Sequence, residues 1–331
     1  MRRRALALVL CALAAAGLAG NEPARAQGFD PHALAAVTRL RAEVPADSRS
    51  ARNLGTERDG NGVVIDNHGL VLTIGYLILE AMSVTVLDSR GAPVTADVVG
   101  YDQATGFGLV RASRPLGIKP LALGDSDSLK VRSPVLVVGH GGRDGTVPAY
   151  VVSRREFAGY WEYLLDEAIF TSPPHPNWGG TALIGADGKL YGVGSLLVAD
   201  AAPGDKPVPG NMFVPINLLK PIFADLLNDG RAAGPRRPWL GLWSRDLNGH
   251  PVIAAVTPEG PAERGGLRPG DMVLAIGGRN VASLADMYRK IWGHGEAGSE
   301  IPMHIMRDGR AMELAVKSGD RTDFVRRKRS Y

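Results

Sequence analysis

Hydrophobic and polar positions change their period along the chain. Residues 5–19 form an apolar run, preceded by Arg2, Arg3 and Arg4 and followed by Ala24-Arg25-Ala26. A charged start, an apolar run too short to span a bilayer and a small-residue end predict a secretory signal over 1–26. In the next segment, 27–57, a helix is expected over 31–44. From 58 to 227 the dominant period is 2: Val84 and Val86 alternate with Ser83 and Thr85, and Val94, Ala96 and Val98 with Thr95 and Asp97. Asp187-Gly188 between Leu183-Ile184 and Leu190-Tyr191 marks a hairpin turn. Many short strands at such spacing predict a β-barrel or sandwich, with a helix over 217–227 closing it.

A linker rich in Gly, Pro and Arg, 228–238, leads to a second unit, 239–319. Here Leu240-Gly241-Leu242 opens a strand, Gly260-Pro261-Ala262 starts a short helix, and Gly266-Leu267-Arg268-Pro269-Gly270-Asp271 leads into a strand over 272–276. Ser283 is placed to cap a helix, with Asp286 three residues on and Leu284, Met287, Tyr288 and Ile291 on one face. A last hairpin turns at Asp308-Gly309, and 320–331 is a basic tail. The 331 residues suffice for two domains with cores of their own.

Charge alters the picture once the export segment is set aside. Removing Arg2, Arg3, Arg4, Arg25 and Glu22 lowers the net charge from +4 to +1. The basic character thus belongs largely to the signal, and no nucleic-acid partner is expected. Only Arg326-Arg327-Lys328-Arg329 stays locally basic, as solvated tails often are. The sole cysteine, Cys11, lies in the signal, so thiol chemistry is excluded from the exported chain. The histidines lack metal-ligand spacing, and the Gly-rich run around His140 lacks a nucleotide fingerprint; neither a metal nor a cofactor is expected.

The run 262–278, with its Gly-Leu-x-Pro-Gly-Asp followed by an apolar strand ending in Gly-Gly, resembles a bacterial PDZ domain. The resemblance implies that a peptide's C-terminal carboxylate rests on backbone amides of Trp239, Leu240, Gly241 and Leu242, and that the peptide adds a strand beside them. Gly241 suits close backbone approach, and Met287 and Ile291 would wall the side-chain pocket. A packing module with an internally filled groove is the competing reading.

Gly60-Asn61-Gly62-Val63-Val64-Ile65-Asp66, Gly69-Leu70-Val71-Leu72-Thr73, Leu123-Gly124-Asp125-Ser126 and Gly179-Gly180 resemble successive motifs of the HtrA/Deg proteases. These are secreted trypsin-like enzymes with PDZ domains. The resemblance implies a mainly β, chymotrypsin-like double barrel followed by PDZ. At the positions it implies for a Ser-His-Asp triad, the residues differ. Tyr76 stands for the histidine, Gly106 for the aspartate and Trp178 for the serine, while Pro176 replaces a glycine whose N–H would receive the oxyanion. A phenol, with a reference pKa of about 10, is a poor base at neutral pH. Ser172 and His175 are the nearest substitute pair, though Pro173 and Pro174 separate them.

The expected function is that of a periplasmic pseudoprotease, binding peptides or unfolded protein C-termini in envelope quality control or acting as an adaptor for active protease relatives. An active serine endopeptidase with a different catalytic arrangement stays open. The family's trimers make a homotrimer the corresponding assembly. Phe157, Tyr160, Trp161 and Tyr163, close to Glu162, Asp166 and Glu167, have no counterpart among these motifs; an aromatic-packed hairpin is expected, one that would fill the old cleft if Trp178 folds toward it.

Overall fold

The computed structural model describes residues 31–247 and 249–324. The expected signal and the run Arg326-Arg327-Lys328-Arg329 lie outside the described residues. The expected helix over 31–44 is only α1, Pro31–Ala35, and gives way to strand β1, Val37–Glu43. Leu40, Ala42 and Val44 point into the core while Arg41 and Glu43 face solvent, the two-residue alternation of a strand. Thr38 fixes the register, its hydroxyl donating to Leu87 O and accepting from Leu87 N. The first barrel therefore takes in residues ahead of 58.

After the short α2, Ala51–Leu54, come β2, Glu57–Val64; β3, Leu70–Ile74; β4, Ser83–Leu87; β5, Pro93–Tyr101; and β6, Phe107–Ala112. They close with β1 into a barrel of order β1-β2-β3-β6-β5-β4. The next six are β7, Pro134–Val138; β8, Thr146–Gly159; β9, Tyr163–Ser172; β10, Ala182–Ile184; β11, Leu190–Val198; and β12, Gly210–Pro215. They close as β7-β8-β9-β12-β11-β10, the same topology repeated. Val135, Val137, Val151, Ile169, Leu183 and Phe213 fill the second barrel, and a larger apolar cluster runs from the first barrel across the seam. Helix α3, Phe223–Asp229, packs on β5 and ends at Gly230 in the left-handed region.

The last unit begins where Trp239 and Gly319 exchange backbone hydrogen bonds. Its strands are β13, Leu242–Leu247; β14, His250–Val256; β15, Met272–Ile276; β16, Arg279–Asn280; β17, Glu300–Arg307; and β18, Arg310–Lys317. Their order is β13-β14-β15-β17-β18, with β16 on β15. Helices α4, Pro261–Arg264, and α5, Leu284–Trp292, accompany the sheet. Ser283 Oγ accepts from Asp286 N as expected, and Leu284, Met287, Tyr288 and Ile291 are buried. Asp308 and Gly309 both have positive φ, as a tight two-residue hairpin turn demands.

Candidate functional site

Two places attract attention: the seam between the barrels, and the groove between β13 and α5. At the seam, Tyr76 rides on the turn after β3. Buried Arg58 holds that turn, donating to Tyr76 O at 2.6 Å, Leu79 O at 2.7 Å and Ser50 Oγ at 2.7 Å. The Tyr76 hydroxyl donates to Ser195 O at 2.9 Å and is hydrogen-bonded to the Trp178 side chain. Burial pushes the phenol's pKa up, so it holds its proton more firmly than an ordinary tyrosine. Tyr76→Phe is expected to cost about 1–2 kcal/mol, because Ser195 O loses its donor; a denaturant midpoint measures it.

Gly106 lies beside the Tyr76 turn, just ahead of β6, the strand paired with β3, its carbonyl accepting from Gly75 N at 2.7 Å. Its φ is +85°, and a Cβ there would stand 3.2 Å from Tyr163 Oη. Tyr163 in turn donates to Thr105 O at 2.6 Å. It is thus Tyr163, from the aromatic cluster, that occupies the space beside Gly106, while Trp178 meets Tyr76.

The loop carrying Pro176 is locked by its own polar groups. His175 Nδ1 accepts from Asn177 N at 3.1 Å, which leaves the proton on Nε2 to donate to Gly145 O at 3.1 Å. Burial pushes the His175 pKa down, in keeping with a neutral ring. Ser172 Oγ donates to Pro209 O at 2.8 Å, so the substitute Ser172 and His175 pair is not formed. Asn61 ties the barrels together, its amide donating to Asn177 O and Gly179 O at 3.0 Å and its oxygen accepting from His140 N at 2.8 Å.

In the second place, Gly241 has φ +81°, and a Cβ there would press on Thr257 at 3.0 Å. The left-handed backbone that glycine allows presents the neighbouring amides to one spot. That spot is occupied. Glu162, from the turn between β8 and β9, accepts from Leu242 N at 2.6 Å and Leu240 N at 3.1 Å. Met287 and Ile291 are fully buried, in an apolar cluster with Leu240, Leu242 and Leu164 of β9; Trp239 packs on Phe324 instead, ring centroids 4.6 Å apart. Sequence reasoning missed Glu162, Arg58 and Asn61; for Glu162 the available signal was an acidic residue enclosed in an aromatic run.

Residues 60–193 match the trypsin-like peptidase domain family and 238–318 the PDZ domain family. Two repeated barrels followed by this sheet and helix define a trypsin-like domain with a PDZ domain after it. The architecture is that of an HtrA-type protein. The chain is 28% identical over 282 residues to the probable periplasmic serine protease do/HhoA-like of Haemophilus influenzae, covering 78% of this chain and 57% of that one. Against periplasmic serine endoprotease DegP of Escherichia coli K12 the identity is 24% over 277 residues, covering 78% and 56%. The chain therefore spans little more than half the length of these relatives. Among solved structures, an HtrA-type protease AlgW with decapeptide matches at a TM-score of 0.53 and 20% identity, over 90% of this chain and 98% of that one. The serine endoprotease from Yersinia pestis matches at 0.52 and 19%, over 88% and 98%. Among the described residues, no helix is long and apolar enough to cross a membrane.

Proposed function

We propose that this chain is a periplasmic pseudoprotease, in which the double barrel serves as scaffold and the PDZ domain binds peptides or unfolded protein C-termini. The observation that carries the reading is the state of Tyr76: where a serine protease needs a base to take a proton, a phenol donates its own to Ser195 O. Gly106 offers no carboxylate and Pro176 no N–H for an oxyanion. The relatives named above are periplasmic, which agrees with the export segment expected from the sequence. Quality control of envelope proteins, or recruitment of an active relative, would use the PDZ domain alone.

The purified chain is expected to leave casein intact and to show no labelling by a fluorophosphonate probe for activated serines. It is expected to bind a decapeptide ending in Leu with a free carboxylate in preference to the same peptide amidated. Stoichiometric labelling of one serine, or casein hydrolysis abolished by a serine-directed inhibitor, would overturn the first half. Equal affinity for acid and amide would overturn the second.

A further inference from the structure

The turn between β8 and β9 enters the groove between β13 and α5 in the way a peptide end would. Glu162 sits on the amides of Leu240 and Leu242, and two residues earlier Tyr160 O accepts from Ser244 N at 2.8 Å, two residues further along β13. Steps of two in opposite directions are those of an antiparallel added strand. The helix side is closed too: Tyr288 Oη donates to Gly159 O at 2.8 Å and accepts from Glu162 N at 3.2 Å. Leu164 lies in the apolar cluster of Met287 and Ile291, and the Tyr160 and Trp243 rings pack with centroids 5.4 Å apart. At the rim, Arg289 pairs with Glu156 at 2.6 Å and with Asp166.

Two features separate this from ordinary packing. Glu162 is only 4% exposed, and none of the ion pairs among the described residues involves it. Burial pushes its carboxyl up to about 6, while the amides of Leu242, Leu240 and Gly241 pull the other way. A buried carboxylate held by loop amides is the chemistry of a terminal-carboxylate site. Glu162 also has φ +56°, a left-handed turn uncommon for a residue with a side chain. An internal segment cannot end in the groove, so the chain turns away there and the side-chain carboxylate stands where a terminus would.

We infer that the β8–β9 turn is an internal ligand of the PDZ groove, with Glu162 replacing a peptide's terminal carboxylate, so that an incoming C-terminus binds only by displacing it. The inference rests on the peptide-binding reading above and adds its regulation. A second carboxylate has no room on the same amides, so the two occupants exclude each other. Apparent peptide affinity is the intrinsic affinity multiplied by the fraction of molecules in which the groove is open.

The test uses the whole exported chain and the fluorescein-labelled decapeptide ending in Leu, free acid and amide, with hydrogen exchange of residues 240–244 read in parallel. Glu162→Gly removes the carboxylate and suits the positive φ. It is expected to tighten binding of the acid form at least about tenfold and to speed exchange at Leu240, Leu242 and Ser244 by a similar factor. Arg289→Ala, which leaves Glu162 in place, is expected to move both readouts the same way by a smaller factor, and serves if the first variant does not fold. Unchanged exchange in a folded variant overturns the inference. So does acid-selective binding of equal strength in the parent and the variant, which leaves the peptide-binding reading standing. Faster exchange with no binding of either peptide supports the docked turn and overturns the peptide-binding reading instead.

Discussion

Restoring a triad through Tyr76→His, Gly106→Asp and Trp178→Ser together is expected to yield casein hydrolysis at least about 100-fold below that of an active HtrA-type protease. Loss of one oxyanion donor costs on the order of 100-fold to 1,000-fold, and the triple variant keeps Pro176, which has no N–H to give. The acid position adds a second obstacle. Gly106 has φ +85°, a Cβ there meets Tyr163 Oη at 3.2 Å, and Tyr163 is fixed by its bond to Thr105 O. Aspartate at that place is strained by roughly 1–3 kcal/mol before its carboxylate is accommodated. The loop adds a third, because the bond from Asn177 N to His175 Nδ1 holds it in its present conformation. Adding Pro176→Gly is expected to raise activity above the triple variant without reaching the active enzyme. Circular dichroism checks that both remain folded. Full activity in the triple variant would mean that Pro176 does not occupy the oxyanion position.

What the residues reveal by themselves depends on how far apart the interacting groups are. The Ser283 cap, the turns at Asp187-Gly188 and Asp308-Gly309 and the alternation at Val84 and Val86 are local, and the elements form where those patterns place them. The segment 31–44 misleads because α1 and β1 adjoin with only Ala36 between them, and the alternation of Leu40, Ala42 and Val44 is outvoted by the residues before it. What makes it a strand is pairing with β2 and β4, a tertiary condition. The residues that the resemblance implies for a triad, Tyr76, Gly106 and Trp178, are legible because they follow recognisable motifs, and the proposed loss of chemistry rests on that placement. Tyr163 filling the space beside Gly106 is not legible, since the two are 57 positions apart. Glu162 is least legible of all. A charge at a hairpin tip ordinarily faces water, and its partners lie 78 and 80 residues away in another domain.

Asp271→Ala is expected to destabilise the PDZ domain by about 3–5 kcal/mol, the range for stripping a partner from a buried ion pair. Asp271 is fully buried and meets Arg307 in a two-pronged contact, Nε to Oδ1 at 2.6 Å and Nη2 to Oδ2 at 2.7 Å. It also accepts from Arg268 N at 2.8 Å, and Arg307 reaches on to Gly266 O at 2.7 Å. The Gly-Leu-x-Pro-Gly-Asp run is thus a turn tied by its last residue to β17, and this is why an acid belongs there. Alanine leaves the Arg307 guanidinium and the Arg268 amide without their acceptor at the start of β15, and β15 pairs with β14, β16 and β17. The cost falls on the sheet that presents Leu240 and Leu242 to Glu162, so the undocked β8–β9 turn becomes populated along with the unfolded domain. Thermal unfolding of the variant is expected to split, with residues 239–319 gaining fast hydrogen exchange well below the temperature at which the barrels open. A loss under about 1 kcal/mol, with a single transition retained, would show that the Arg307 pair contributes little beyond its solvation cost.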